Sequence, residues 1–363
     1  MNRSESPTVL VAMSGGVDST VAAALLREQG YHVVGATLRL HDLTPPGAAA
    51  ACGDPSGVAA AEQAAKFLGI EHRVIDGRDR FREAVLKASW DDYANGRTPN
   101  PCTWCNRELK FGFLWETARD LGAAMIATGH YARLVPGEGA VELYRGRDPQ
   151  KDQSYFLFAL TAEQRARSLL PLGEYTKPEV RELARRLGVA NAERTESQDA
   201  CFASGDEIFA EDLRRFFQAP GRAGTIVDES RRILGRHEGL HRFTIGQRQG
   251  LGVALGKRAW VERIDAADAT VVVTTDPERL RASGLVAAPV CWSREPWVGP
   301  CEVQIRYRHK ASPARIEMAD AATAVVRFNQ PLRAVTPGQA AVFYDGDRVI
   351  GGGWIREALV GAE

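Results

Sequence analysis

Long apolar runs are missing from this chain of 363 residues. No segment approaches the roughly 20 apolar residues that a helix needs to cross a bilayer. The apolar stretch at residues 9–13 is too short for the core of a secretory signal, and a glycine-rich turn follows it directly. We therefore expect a cytoplasmic protein that makes no membrane contact.

A surplus of charge of either sign is missing as well, since 46 Lys and Arg balance 46 Asp and Glu. The chain thus lacks the overall basic signature of many nucleic-acid-binding proteins, although a local basic patch suffices for such binding. Residues 222–258 carry a local basic bias. A solvated surface explains this bias as well as a nucleic-acid contact does.

A disulfide scaffold is not expected, because six cysteines in a cytoplasmic chain of this length favour metal binding or catalysis where they cluster. Cys102 and Cys105 form a Cys-x-x-Cys pair just before a helix predicted over residues 107–121, whose dipole favours a thiolate. With the distant Cys201 they fit a zinc site, an iron–sulfur site with three protein ligands, or thiol chemistry. Cysteines without an expected chemical role are Cys52, in a loop, and the packing residues Cys291 and Cys301.

The chain does contain a glycine-rich turn, Ser-Gly-Gly-Val-Asp-Ser at residues 14–19. It joins a predicted strand at residues 8–13 to a predicted helix that ends at Gly30. Two glycines let the backbone approach an anion, and the N–H groups of the helix start point at it. A Walker A loop would end in Gly-Lys-Ser/Thr, and no lysine follows here, so γ-phosphoryl transfer is disfavoured.

Strand and helix patterns alternate to about residue 205, which predicts an α/β domain with a parallel sheet. Ligands of such sheets bind beyond the carboxyl ends of the strands. The segments expected there are the turn at 14–16, Leu38 and residues 128–130. Further predicted segments are strands at 31–38, 72–75 and 124–127, a loop at 45–57, and helices at 58–68, 176–187 and 207–218.

After residue 220 the segments become short, β-branched and punctuated by Gly and Pro, which predicts one or two small all-β modules. The predicted strands cover residues 225–227, 261–264, 270–274, 303–307, 324–328 and 340–344. We place a domain boundary at residues 219–221.

Five motifs occur in a fixed order: MSGGVDS at 13–19, ATGHYA at 127–132, KDQSYF at 151–156, ESQDACF at 196–202, and TIGQR at 244–248 followed by GLG at 250–252. From residue 8 to the C-terminus, this set resembles the tRNA-specific 2-thiouridylase family of PP-loop ATP pyrophosphatases. The resemblance implies a PP-loop catalytic domain similar to adenine nucleotide alpha hydrolases at 1–219. A small central β domain at 220–280 and a C-terminal β-barrel at 281–363 would follow.

The resemblance also implies a reaction, the ATP-dependent 2-thiolation of the wobble uridine of tRNA. Uridine O2 is adenylated with release of pyrophosphate, and persulfide sulfur then displaces AMP. Cys201 matches the persulfide-carrying cysteine, and Cys105 matches the nucleophile that pairs with Cys201 in a disulfide. Two cysteines can divide sulfur delivery from release. The implied protein partner is a sulfur donor, either a cysteine desulfurase or a sulfur-relay protein. Mg²⁺ is expected because departing pyrophosphate needs charge neutralisation.

Individual roles follow the same resemblance. The nucleotide-binding positions are Ala12, Met13, Ser14, Gly15, Gly16, Val17, Asp18, Ser19, Leu38 and Gly129. The tRNA-contact positions are His130, Lys151, Asp152, Gln153, Arg306, Tyr307 and Gln339. The positions at the target base are Asn100, Pro101 and Cys102.

Cys102 departs from the family pattern, in which an aspartate follows Asn-Pro. A thiol accepts a proton or a hydrogen bond poorly, so a role at the base is doubtful at this position. The substitution creates three thiols, Cys102, Cys105 and Cys201, which can hold a [4Fe–4S] cluster as in other PP-loop tRNA thiolases. The alternatives are therefore a cluster-dependent thiolase, a PP-loop adenylating enzyme that does not thiolate, and a nucleotide-binding RNA module without catalysis.

Overall fold

The computed structural model describes residues 6–42, 53–189 and 208–361. Contacts divide the chain into two compact units. In the described part, the first unit comprises residues 6–42, 53–85, 102–189 and 347–349. The second comprises residues 86–101, 208–346 and 350–361. The boundaries predicted at residues 219 and 280 stay predictions.

The secondary structure to residue 189 alternates short strands and helices. In chain order the elements are β1 (Thr8–Ala12), α1 (Val17–Glu28), β2 (His32–Arg39), α2 (Pro55–Leu68), β3 (Glu71–Asp76), α3 (Arg78–Phe81), a π-helical segment (Arg82–Lys87), α4 (Ala88–Ala94), α5 (Pro101–Trp104), a second π-helical segment (Cys105–Phe113), α6 (Leu114–Asp120), β4 (Met125–Ala127), β5 (Ala132–Pro136), β6 (Val141–Arg145), α7 (Ser154–Leu157), α8 (Ala162–Ala166), β7 (Ser168–Leu169) and α9 (Lys177–Arg186).

After residue 208 strands dominate. The elements are α10 (Phe209–Phe216), β8 (Gly224–Val227), β9 (Ile233–His237), β10 (Trp260–Asp265), β11 (Thr270–Thr274), β12 (Arg281–Trp292), β13 (Gly299–Gln304), β14 (Ser312–Ala319), β15 (Ala324–Arg333), β16 (Ala340–Asp345) and β17 (Arg348–Leu359), with 3₁₀ turns at Leu240–Arg242 and Pro277–Leu280.

A five-stranded sheet forms the core of the first unit, in the order β3-β2-β1-β4-β7, and its strand pairs are parallel. The predicted α/β class is therefore confirmed. The central strand β1 is apolar throughout, and Val9, Leu10 and Val11 are fully buried. Such continuous burial is typical of a parallel strand that is covered on both faces.

The helix that carries the paired cysteines begins earlier than predicted. Pro101 starts α5, and the helical path continues through the second π-helical segment and α6. Proline suits a first helical position because the N–H that it lacks would have no partner inside the helix. Cys105 therefore lies inside the helix and not before its N-terminus, which corrects the prediction.

The predicted loop at 45–57 is also partly wrong, because α2 already begins at Pro55. Asp54 caps this helix, since its carboxylate accepts a hydrogen bond from Gly57 N at 2.5 Å. An N-cap aspartate followed by proline is a helix-start signal that outweighs the loop composition of this stretch. Residues 43–52, including Cys52, lie outside the described part.

Two β modules make up most of the second unit, as predicted. Strands β10-β11-β8-β9 form a four-stranded sheet. Strands β12-β15-β14-β13-β16-β17 form a six-stranded barrel that the pairing of β12 with β17 closes. Each module has its own cluster of buried apolar side chains. Cys291 and Cys301 are half-buried in the barrel, and burial raises the pKa of the Cys301 thiol to about 12.

The strand predicted at 303–307 ends at Gln304. The chain then turns, with Arg308 at a φ of +64° and His309 N donating to Arg306 O at 3.3 Å. Gln304 Nε2 also donates to Arg306 O, at 3.1 Å, so side-chain and backbone bonds stabilise this turn. Arg306 and Tyr307 therefore lie on a turn and not on the face of a strand.

Among the helices that the structure describes, none is both long enough and apolar enough to cross a membrane.

Candidate active site

The glycine-rich turn connects the carboxyl end of β1 to the start of α1. Gly15 adopts a φ of +74°, and a Cβ there would lie 2.6 Å from Ala60 Cβ, so only glycine fits. Inside the turn, Ser14 N donates to Ser19 Oγ at 3.2 Å, and Ser19 Oγ donates to Gly16 O at 3.1 Å. Gly16 is the N-cap residue of α1 and supplies no side-chain cap. This leaves the helix start open to an anion.

Gly129 lies against the residues that follow this turn, and Leu38 lies in β2, the neighbour of β1 in the sheet. The register pairs Ala12 of β1 with Ala36 of β2, which places the ends of these strands side by side. Gly129 follows β4, and a Cβ on it would lie 2.9 Å from both Asp18 C and Ser19 N. The backbone after β4 therefore packs directly on the first turn of α1.

Lys177 is a residue of this site that the sequence reasoning missed. Its Nζ lies 2.7 Å from Asp18 Oδ1, and Tyr131 Oη donates to the same oxygen at 2.8 Å. A capping box of Thr176 and Glu179 holds Lys177 at the first position of α9. Lys177 is 159 positions away from Asp18 in the sequence, so the motif at 14–19 gives no sign of it.

The Lys151-Asp152-Gln153 segment is fixed to the same part of the first unit. Gln153 exchanges two bonds with Tyr131, since Gln153 N donates to Tyr131 O at 2.8 Å and Tyr131 N donates to Gln153 Oε1 at 3.0 Å. The Asp152 carboxylate accepts bonds from Arg145 Nη1 at 3.0 Å and from Ser154 Oγ at 2.9 Å. Asp152 therefore shapes the loop, and Lys151 is half-buried beside it.

His130 is buried next to Gly129. Its Nδ1 lies 2.7 Å from Thr128 Oγ1, and its ring centroid lies 6.0 Å from that of Phe111. Burial, assisted by the charge of Lys110, lowers the pKa of His130 well below its ordinary value. The imidazole is therefore neutral at pH 7, which lets it hydrogen-bond without adding charge.

The paired cysteines differ in exposure. Cys102 is half-buried in the first turn of α5, and Cys105 is buried one turn later. The neighbouring Asn106 donates from Nδ2 to Phe156 O at 3.1 Å and thereby fixes this helix to α7. Cys201 lies outside the described residues, as does the rest of its motif at 196–202.

The remaining predicted residues belong to the second unit. Arg306 and Gln339 both line one cavity of about 640 Å³, whereas Tyr307 does not line it. Arg306 donates to Ala334 O, and Gln339 Nε2 donates to Pro99 O at 2.8 Å. The adjacent Asn100 is buried.

Clusters of three or more His, Cys, Asp or Glu suited to a metal are absent from the described ranges 6–42, 53–189 and 208–361. Because Cys201 lies outside these ranges, the three-cysteine iron–sulfur site stays a prediction.

Family models match nearly the whole chain. A model described as tRNA methyl transferase HUP domain matches residues 7–205, one described as tRNA methyl transferase PRC-barrel domain matches 215–275, and one described as Aminomethyltransferase beta-barrel domain matches 283–355.

Curated relatives are similar over the same length. The tRNA-specific 2-thiouridylase MnmA of Geobacter metallireducens is 45% identical, with 97% of both chains covered. The protein of that name from Syntrophotalea carbinolica is 46% identical, with 96% of this chain and 98% of the relative covered. Among solved structures, a 4-thiouridine synthetase–RNA complex with bound ATP aligns over 58% of this chain and 50% of its own, at 17% identity and a TM-score of 0.39, which is too distant to bear on function.

Proposed function

This chain belongs to the tRNA-specific 2-thiouridylase family, and from that premise we propose how its residues divide the ATP-dependent 2-thiolation of tRNA uridine. The observation that carries the proposal is the open, uncapped start of α1 behind the Ser14–Ser19 turn. Backbone N–H groups there suit the phosphates of ATP, which is the substrate that activates the uridine. The substrate uridine is the one at the wobble position.

In the first step, uridine O2 attacks the α-phosphorus of ATP. An O–P bond forms, the bond between the α- and β-phosphates breaks, and pyrophosphate leaves while N3 of the base loses its proton. The residues that bind the nucleotide are Ala12 to Ser19 with Leu38 and Gly129. Adenylation is needed because a ring oxygen is a poor leaving group, whereas AMP is a good one.

In the second step, the terminal sulfur of a Cys201 persulfide attacks C2 of the activated base. A C–S bond forms, the C–O bond breaks, and AMP leaves. Cys105 then attacks the Cys201 sulfur, which releases 2-thiouridine and leaves a disulfide between the two cysteines. A thiol reductant must return this disulfide to two thiols before the next cycle. A cysteine desulfurase or a sulfur-relay protein renews the persulfide.

Mg²⁺ is proposed to arrive with ATP. Asp18 does not suit the ion, since one of its carboxylate oxygens already accepts bonds from the ammonium of Lys177 and the hydroxyl of Tyr131. The ammonium group of Lys177 lies 2.7 Å from Asp18 Oδ1 and would repel a magnesium ion bound to the same carboxylate. We therefore assign no magnesium ligand among the described residues.

Contacts with tRNA are proposed for two groups of residues. His130 and the Lys151–Gln153 segment form the group in the first unit. Arg306, Tyr307 and Gln339 form the group in the second unit. Arginine and tyrosine side chains on a turn suit phosphate contact and base or ribose stacking.

Thiolation of an unmodified tRNA transcript tests the proposal. The protein, purified without oxygen, is incubated with ATP and a sulfur donor, and the digested RNA is analysed by mass spectrometry. We expect 2-thiouridine at the wobble base, and its loss by at least about a hundredfold in Cys105→Ser and Cys201→Ser, because each removes a nucleophile. The half-buried Cys301→Ser is the matched control and should keep full activity.

Cys102→Ser and iron quantification separate the persulfide from the cluster. In the persulfide reaction Cys102→Ser stays active and the protein holds no iron. If the parent protein holds stoichiometric iron, and Cys102→Ser loses both the iron and the activity, the three-cysteine cluster and not the persulfide carries the sulfur. Pyrophosphate release without any thiouridine would contradict the proposed function itself.

A further inference from the structure

The cavity of the second unit is built partly from residues to which the family resemblance gives no role. Its volume of about 640 Å³ lies within the range of about 300–1,000 Å³ that is usual for small-ligand sites. Besides Arg306 and Gln339, the cavity is lined by Arg248, Trp260 and Arg333, among others. Arg248 is the last residue of the TIGQR motif, to which the proposed reaction steps give no role.

The backbone around the motif is held tightly. Gly246 has a φ of +83°, and a Cβ on it would lie 2.8 Å from Ala334 Cβ. Gly246 N donates to Val261 O at 2.8 Å, and Val261 N donates to Gln247 O at 2.9 Å. One wall of the cavity is thereby formed before any ligand arrives, which lowers the entropy cost of binding.

The cavity is suited to an anion. Arg248 and Arg333 are exposed, and neither forms an ion pair with the residues that the structure describes. Arg306 is oriented at the same cavity by its bond to the Ala334 carbonyl. Among the residues that the structure describes, the lining contains three guanidinium groups and no carboxylate. Guanidinium groups bind phosphate oxygens in bidentate fashion, so a phosphate group fits this charge distribution.

The cavity also offers a flat surface. The Arg333 guanidinium carbon lies 5.0 Å from the ring centroid of the half-buried Trp260. Unstacked bases of RNA bind to tryptophan rings and to arginine planes in this way. An anionic group beside a flat ring is the chemistry of a nucleotide.

We infer that this cavity binds one unstacked nucleotide of the tRNA substrate. Arg248 and Arg306 hold its phosphate, and its base stacks on the Arg333–Trp260 pair. The inference rests on the proposed function only in taking tRNA as the ligand, and it adds three binding residues to those that the family resemblance implies.

Trp260 variants test the stacking contact. Binding of a fluorescently labelled, unmodified tRNA transcript is measured by anisotropy, without ATP or sulfur donor, at several KCl concentrations. Trp260→Ala should weaken binding about tenfold, the usual effect of losing one base–aromatic stack, and should leave the salt dependence unchanged. Trp260→Tyr keeps an aromatic ring and should bind within about threefold of the parent protein.

Arg248→Gln tests the phosphate contact independently. It should weaken binding and lower the slope of log K against log salt by about one, as expected when one phosphate contact is lost. Arg315→Gln is the matched control, because Arg315 is exposed, lies on β14 outside the cavity and forms no ion pair with a described residue. It should bind tRNA as the parent protein does.

The inference is overturned if folded Trp260→Ala and Arg248→Gln both bind tRNA like the parent protein. Should Trp260→Ala fail to fold, the Arg248 variant decides alone. Steady-state thiolation adds a second readout, since the KM for tRNA should rise while kcat and the KM for ATP stay constant. A parent protein that binds tRNA and forms no thiouridine would contradict the proposed function and leave this binding test intact.

Discussion

The ammonium group of Lys177 can bind phosphate oxygens at the start of α1 while it stays paired with Asp18. In the structure its ammonium group neutralises Asp18, which lies in the first turn of α1, and its side chain is 9% exposed. An ammonium group beside the open start of α1 suits phosphate oxygens as well as it suits the carboxylate. In a Walker A loop the lysine is part of the loop sequence itself, whereas in this chain the ammonium group beside the turn belongs to Lys177 of α9.

We predict that Lys177→Met impairs ATP use more than it impairs stability. Methionine keeps the length of the side chain but removes the charge, so one charge-assisted contact of about 1.5–3 kcal/mol is lost. Pyrophosphate release in the presence of tRNA should fall about 10- to 100-fold, with partial recovery in Lys177→Arg. The rate is measured at several ATP concentrations, together with the melting temperature.

Lys66→Met serves as the comparison, because Lys66 is exposed in α2 and has no ion-pair partner among the described residues. It should release pyrophosphate at the parental rate. A Lys177→Met protein that melts earlier but has unchanged ATP kinetics would show that this lysine has only a structural role.

At the scale of whole elements, Glu211 connects α10 to the 3₁₀ turn at Leu240–Arg242. Its carboxylate lies 2.6 Å from Arg214 Nη2 and 2.9 Å from His241 Nε2, and the side chain is 6% exposed. The hydrogen bond from Arg214 and then that from His241 lower the pKa of Glu211 to about 2, although burial opposes them. The charged carboxylate is thus the form that stabilises this contact between elements.

Glu211→Gln should therefore lower the free energy of unfolding by about 1–3 kcal/mol at pH 7. The folded-state pKa lies below the unfolded one, so this stabilisation is present above the unfolded pKa of about 4.3 and is lost as the pH falls towards 2. Urea unfolding at pH 7 and at about pH 3.5 should thus show a smaller difference between parent and variant at the lower pH.

An exposed ion pair gives the control for this experiment. Glu278 pairs with Arg281 at 2.7 Å with 68% of its side chain exposed, so Glu278→Gln should change stability by less than about 1 kcal/mol. If the difference in unfolding free energy between Glu211→Gln and the parent protein does not shrink at low pH, the charged carboxylate of Glu211 is not the stabilising group.

Elements with strong local signals were predicted well from the sequence, and those fixed by distant partners were not. The helix end at Gly69, where φ is +65°, and the capping box before α9 are read from neighbouring residues. The hairpin of β5 and β6 is an exception, since Pro136 lies opposite Val141 and the glycine-containing turn between them is a local signal that was missed. Lys177 was missed because its partner, Asp18, lies 159 positions away in the sequence.

At the scale of the whole molecule, a net charge of zero constrains how the protein binds a polyanion. Many arginines of the first unit are neutralised in ion pairs, for example Arg78 with Asp76 and Arg145 with Asp152. In the second unit, a loop rich in glycine carries cations that have no ion-pair partner in the described part, namely Arg248, Lys257 and Arg258. Affinity for RNA should thus reside in local groups and not in the overall charge.

Removing this loop charge should reveal its share of the binding. The triple variant Arg248→Gln, Lys257→Gln and Arg258→Gln should lower the slope of log K for tRNA against log salt by about 2–3, because each lost phosphate contact removes about one released counterion. The matched variant is Lys66→Gln, Arg186→Gln and Arg356→Gln, three residues that are also exposed and have no ion-pair partner among the described residues. If affinity followed net charge alone, both variants would lose the same slope. If affinity follows the placement of the cations, only the loop variant has a lower salt slope. An equal decrease of the slope in both variants would disprove a local RNA-binding surface.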